Sequence, residues 1–221
     1  MIIGHLLDGA RGFDANQRIT RVQAKDAVAK GFQFVMRYVR RGQANDHDLI
    51  AGELAACLYA GLGVGVVQHV APEGWIPGQN LGAAYGAVAA EECRAIGIPR
   101  GLGVSVWCDL EGVKRGVPAA DVIAFCNAWH QRVTEAGYHP GLYVGDSCGL
   151  TAVQLYRNLR FDAYWSAYNL NRDQIPAVRG VQMRQKVATL EDLVVGLTNQ
   201  TMDVDVIHAD ALGGTPTLLL P

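Results

Sequence analysis

The stretch GVSVWCDLEG (103–112) decides how the rest of the chain is read. Its alternation is that of a strand, in which successive side chains point to opposite faces. Val104, Val106, Cys108 and Leu110 fall on one face and are all apolar. Ser105, Trp107, Asp109 and Glu111 fall on the other, with the two acids at the C-terminal end. Ionised carboxylates are almost never buried unpaired. A strand with an apolar back and an acidic front end therefore belongs where strand ends carry ligand sites, at the C-terminal rim of a parallel sheet or barrel.

Working outward, β-rich runs recur at 11–15, 33–39, 63–70, 102–111, 141–145, 162–168, 180–186 and 202–209. Helical patterns lie between many of them. One runs from Thr20 to Lys30, with Thr20 and Gln23 in capping-box spacing and Gly31 as its stop. Others cover Asn45–Ala60, Asn80–Ile96, Pro118–Ala136 and Leu150–Leu159. In the fourth, Val122, Phe125, Trp129 and Val133 form one stripe. This alternation predicts an α/β fold, a small (β/α)8 TIM-type barrel, with a doubly wound open sheet as the alternative. Residues 1–221 read as a single domain, with about 213–221, which include TPTLLLP, as a C-terminal tail or packing strap.

Bulk properties narrow the function. The formal net charge is −2 over 221 residues, with no long run of one sign, so neither nucleic acid nor an anionic membrane is an expected partner. Apolar runs are broken well before the roughly 20 residues that a membrane helix needs. The opening MIIGHLLDGARGFD lacks the basic leader of a secretory signal. The expectation is synthesis in the cytoplasm, with release to a cell wall by lysis or a dedicated export route. The five cysteines are widely spaced without a CxxC pair and read as reduced, buried small hydrophobes. Oligomeric state is not legible.

Further acids fall at comparable places. Asp14 ends the first barrel strand, and Asp203 and Asp205 share one face of the last. First and last strands of a barrel are neighbours, so these acids are expected to converge with Asp109 and Glu111. Clustered carboxylates repel, which raises at least one pKa and makes a general acid near neutral pH. The aromatics Tyr38, Trp107, Tyr143, Tyr164, Trp165 and Tyr168 gather at strand ends, where their faces suit sugar rings.

Two rival chemistries compete. GDSCG (145–149) matches G-x-S-x-G between a strand and a helix, and Asp203 or Asp205 and His208 follow in Ser…Asp…His order. No HGGG-type oxyanion segment precedes it, and in a chain with 26 glycines such a match arises readily by chance. The acids alone would also suit Mg²⁺ or Ca²⁺ in a phosphodiesterase. The strand ends supply aromatics and amides rather than cations for phosphate, Arg37 excepted, so no metal and no cofactor is expected. GLGVGV (61–66) precedes its strand and reads as a helix stop, not a dinucleotide loop.

Taken in order, Phe13-Asp14, Asp109-Leu110-Glu111, Leu142-Tyr143, Tyr164 to Tyr168, Val181-Gln182-Met183 and Met202 to Asp205 resemble the family 25 glycoside hydrolases, which are peptidoglycan lysozymes on a small (β/α)8 barrel. GFDAN, DLEG and GYHPGLYVG resemble still more closely their glycoside-hydrolase-like barrel relatives. The resemblance implies peptidoglycan as substrate and Glu111 as catalytic acid. It implies Asp109 as the partner that orients an N-acetyl group or stabilises positive charge, with Asp14 and Asp203 flanking the cleft. Tyr143, with Trp107, Tyr168, Gln182, Asp205 and Tyr38, is the expected substrate-binding set. The lysozymes usually carry Trp-Gln-Tyr where this chain has Val181-Gln182-Met183, and tend to have Asn at the position of Asp205. A peptidoglycan-binding or virion structural module without turnover would use the same residues.

Overall fold

The structure is a computed structural model that describes residues 1–170, 174–175 and 180–221. Its elements are β1 (Ile2–His5), β2 (Arg11–Ala15), α1 (Arg21–Ala29), β3 (Phe34–Val39), α2 (Ala51–Ala60), β4 (Gly63–Gln68), α3 (Gln79–Ala95) and β5 (Ser105–Leu110). They continue with α4 (Ala119–Glu135), β6 (His139–Val144), α5 (Ala152–Asn158), β7 (Ala163–Ser166), β8 (Val181–Lys186), β9 (Met202–Ile207) and β10 (Thr217–Leu220). Strands β2 to β9 close into an eight-stranded barrel, because β9 pairs with β2 and β4 pairs with β5. Closure excludes the open-sheet alternative.

The barrel departs from an all-parallel one at its last strand. From β2 to β8 each strand runs parallel to the next, but β9 is antiparallel to both β8 and β2. Residues 187–201 hold turns and no helix. A parallel return needs a crossover to the far end of the barrel, whereas an antiparallel one needs only a turn at the same rim.

Local sequence accounts for most of the remaining elements. Thr20 caps α1 as its spacing predicts: its Oγ1 accepts from the Gln23 amide at 3.3 Å, and Gln23 Oε1 accepts from the Thr20 amide at 2.9 Å. The predicted stripe of α4 is buried at Val122, Phe125, Trp129 and Val133. Helix α2 starts later than predicted, because Asn45 and Asp48 form a turn in which the Asn45 amide donates to Asp48 Oδ2 at 2.7 Å. The predicted C-terminal tail contains β10, which pairs antiparallel with β1 and touches β4 at Leu219 and Val64. Leu218, fully buried, packs towards Gly65 on β4 and Met36 on β3.

Two cores result. One lies between barrel and helices and takes the apolar back of β5, with Val106, Cys108 and Leu110. All five cysteines are free and buried. The other fills the barrel with Phe34, Met36, Trp107, Trp165, Met183 and Ile207. Glycines on adjacent strands make room for these side chains. A Cβ at Gly12 would overlap the Phe34 ring, and one at Gly141 the Trp107 ring. The barrel is thus solid, as small barrels are, and only its rim is open to ligand. Among the described residues no helix is long and apolar enough to cross a membrane.

Arg37 points outward from β3 and is fully buried. Its Nε donates to Glu53 Oε1 at 2.6 Å, Nη2 to the His47 carbonyl at 2.8 Å and Nη1 to the Ala15 carbonyl. Glu53 Oε1 also accepts from the Ile19 amide at 2.8 Å. Arg37 is therefore a brace behind the peptide that follows Asp14, not a phosphate ligand. Replacing it with Met strands a buried carboxylate, and such losses cost about 3–5 kcal/mol. Arg37→Met is expected to lower the urea midpoint accordingly; an unchanged midpoint would show that the pair adds nothing.

Candidate active site

The rim gathers acids from strands that arrive in opposite directions. Asp14 on β2, Tyr38 on β3, Asp109 and Glu111 at the end of β5 and Tyr143 on β6 come up from below. Asp203, at the start of the descending β9, pairs directly with Asp14. With Asn16, Gln185, Tyr168, Asn169, Gln200 and Thr201 they line a cavity of about 240 Å³. The alternation of β5 holds: Ser105, Trp107 and Asp109 face into the barrel.

Hydrogen bonds fix one carboxylate on both sides. Gln185 Nε2 donates to Asp14 Oδ2 at 2.8 Å, and the Tyr38 hydroxyl donates to Asp14 Oδ1 at 3.1 Å. The Tyr143 hydroxyl donates to Gln185 Oε1 at 3.0 Å. A phenol on the amide oxygen leaves the Gln185 NH₂ turned towards Asp14. Asp109 differs: its Oδ1 is buried without a hydrogen-bond partner. Glu111 is half-buried and lies over Gly145.

Burial is the first cause of what these acids do with protons. It pushes Asp14 up to about 7, against the Gln185 and Tyr38 donors and with help from the charges of Asp203 and Glu111. It pushes Asp109 well above the usual carboxylate range, with Glu111 and Asp14 adding to it. Glu111 is raised by burial and then by Asp146, and Asp203 by burial. Carboxyl groups shifted in this direction hold their protons to higher pH than free ones do, the condition for delivering one to a ligand oxygen.

Three of the residues expected to bind substrate are placed elsewhere. Trp107 is wholly buried below Asp109, edge-on to Trp165 at 6.1 Å, because its ring fills the barrel. Gln182 faces outward and donates to Asp210 Oδ2 at 2.8 Å; strand alternation turns Met183 and Gln185 inward instead. Asp205 is fully buried inside the barrel. Its carboxyl oxygens have no hydrogen-bond partner although the Trp165 indole lies beside it, and burial raises its pKa strongly, which favours the neutral acid. Tyr38, Tyr143 and Tyr168 do line the cavity. Tyr164 turns to the helix side, where its hydroxyl donates to the Leu155 carbonyl at 2.6 Å.

The serine triad is not assembled. Ser147 follows β6 at the rim, but the reversal of β9 carries His208 to the opposite end, with its ring 3.7 Å from Asp8. Among the described residues no three His, Cys, Asp or Glu side chains are grouped so as to hold a metal ion. Gln185 escaped the sequence reading, although its spacing of three from Gln182 puts it on the other face. Asn16, Asn169, Gln200 and Thr201 come from connections that carry no periodic signal.

Comparison with known proteins agrees with the barrel fold. The model of the Rv2525c-like, glycoside hydrolase-like domain matches residues 25–205. An uncharacterized protein of B. stearothermophilus superposes with a TM-score of 0.65 at 21% identity, covering 90% of this chain and 96% of that one. The Tat-secreted protein Rv2525c of Mycobacterium tuberculosis, solved with L-tartrate, gives 0.65 at 15% identity, over 90% and 95%. A bacterial lysozyme from Streptomyces coelicolor gives 0.63 at 16% identity, over 94% and 95%. At these identities the likeness is one of fold. No curated protein sequence matches the chain.

The state of Asp14 has a measurable consequence. Its folded pKa of about 7 lies above the ordinary value of 3.8. Between those values the folded chain holds a proton that the unfolded chain has released, so stability falls as pH rises. The Asp14 contribution is complete below about pH 4 and gone above about pH 7. Urea midpoints of Asp14→Asn should therefore gain on wild type from pH 4 to pH 7 and then run level. Parallel curves would show that Asp14 is ionised throughout.

Proposed function

This chain belongs to the Rv2525c-like, glycoside hydrolase-like domain family, whose fold is that of the lysozymes, and from that premise we propose that it hydrolyses a cell-wall polysaccharide, peptidoglycan, with Glu111 as general acid. The observation that carries the reading is the half-buried Glu111, its pKa raised by burial, beside Asp109 and Asp14 on a rim with tyrosines and amides. Glycoside hydrolysis needs a carboxylic acid to protonate the leaving oxygen and a second carboxyl group to meet the oxocarbenium-like charge.

Each group has a part in that reaction. Glu111 gives its proton to the glycosidic oxygen as the bond to the anomeric carbon breaks. Asp109, with an unpartnered oxygen beside the cavity, is placed to hydrogen-bond a substrate amide or hydroxyl and to lower the energy of the positive charge through its carboxyl dipole. Asp14, clamped by Gln185 and Tyr38, and Asp203 opposite it line the β2 side of the cavity, where their carboxyl groups meet substrate hydroxyls. Tyr168, 53% exposed, offers its ring to a sugar face. Water adds to the anomeric carbon and gives its proton to the Glu111 carboxylate, which restores the acid.

Purified peptidoglycan incubated with the protein should release new reducing ends. Loss of a general acid costs about 10²–10⁴ in rate, so Glu111→Gln should fall by that factor, while EDTA leaves the wild-type rate unchanged. Because the acid works only while protonated, kcat/KM should fall as pH rises through the Glu111 pKa. Binding of peptidoglycan without new reducing ends would make the protein a wall-binding module instead.

A further inference from the structure

The GDSCG stretch forms no triad, yet it wraps the proposed acid. Gly145 lies beneath Glu111: a Cβ there would overlap Oε2 and stand 2.6 Å from Glu111 Cβ. The next two residues are laced to the segment after Glu111. The Gly112 amide donates to the Asp146 carbonyl at 2.9 Å, and the Val113 amide to the Ser147 carbonyl at 2.9 Å. Among the described residues Ser147 is the one non-glycine residue with a positive φ, 55°. Its Oγ donates to Asp146 Oδ2 at 3.2 Å. A strained backbone of this kind persists only where its surroundings over-determine it. Asp146 and Ser147, with Val70, Ala71 and Glu73, line a second cavity of about 310 Å³ that shares Glu111 with the first.

We propose that Asp146 is a positioning residue of this site: held by Ser147 and by the hydrogen bond that its carbonyl accepts from the Gly112 amide, it sets a negative charge in the cavity that Glu111 shares. That charge widens towards higher pH the range in which Glu111 keeps its proton. This rests on Glu111 acting as the general acid. Glu111 is faced by Asp109 from its own strand, by Asp14 from β2, by Tyr143 from β6, by Glu73 from the loop after β4 and by Asp146 from the loop after β6. Asp109 and Asp14 are pushed towards their neutral forms by burial, which weakens their repulsion of a Glu111 carboxylate. Asp146 is exposed to water. Burial acts first on Glu111 and the charge of Asp146 second.

The test reads the acid directly. The full chain, ¹³C-labelled, is titrated by NMR and the Glu111 carboxyl carbon followed in wild type, Asp146→Asn, Asp146→Glu and Ser147→Gly. In Asp146→Asn the Glu111 midpoint should fall by about 0.2–0.7 on the pH scale, the size that a partly exposed charge pair gives. Asp146→Glu should restore it. Ser147→Gly, whose backbone suits the positive φ, should keep the fold and lower the midpoint by less than Asp146→Asn. The difference between wild type and Asp146→Asn should shrink at about 1 M salt, where the Debye length is about 3 Å. The high-pH limb of kcat/KM on peptidoglycan should move with the midpoint. An unchanged Glu111 midpoint in Asp146→Asn overturns the proposal while leaving the general acid in place. Absence of wall hydrolysis by wild type overturns the functional reading, and the titration still reports whether Asp146 acts on Glu111.

Discussion

Desolvation of carboxyl groups above a filled barrel is the constraint on which the rest of this structure depends. Trp107, Trp165, Phe34, Met36 and Met183 occupy the interior, so no water reaches Asp14 or Asp109 from below. Each acid must then share hydrogen bonds, keep a proton or face the rim. Asp14 takes the first course through Gln185 and Tyr38, Asp109 the second, and Glu111 the third in part. Acids that differ in their hold on a proton are what a glycosidase needs from a pair of carboxyl groups.

The reversal of β9 bears equally on the site. An ascending strand would bring its C-terminal end, with His208, to the rim. The descending strand brings Asp203 there, places it against Asp14, and puts Asp205 lower in the barrel. One change of direction thus assembles the acid cluster and takes His208 away from Ser147. It also opens the rim to residues 187–201, from which Gln200 and Thr201 enter the cavity.

Behind the rim, support comes from groups that never meet the cavity. Arg37 and Glu53 tie the Ala15 carbonyl and the Ile19 amide to β3 and α2, which steadies the end of the strand that carries Asp14. The Trp75 indole donates to the Glu111 carbonyl at 2.8 Å, and Gly145 leaves space for the Glu111 side chain. The two principal carboxylates are held from opposite sides of the barrel by unrelated devices.

Period and composition made the eight barrel strands, the α1 cap, the α4 stripe and the inward face of β5 legible in the sequence, because each depends on neighbours only a few residues away. The convergence of Asp14, Asp109, Glu111 and Asp203 was legible too, since acids at strand ends of a closed barrel have one rim to share. Trp107 shows the limit of such reasoning: alternation gives the face of a strand but not the depth at which a side chain stops. Gln182 and Gln185 differ only in which face of β8 turns inward, a choice set by pairing with β7 and β9. The direction of β9 was not legible, because a strand reads alike whether it ascends or descends. Its direction follows from the connection over 187–201, which turns at the rim without a helix to carry the chain back. Local chemistry determined which residues form strands and which carry acid; only the closed barrel decided which of those acids share a cavity, because burial and repulsion act between residues that the chain itself keeps far apart.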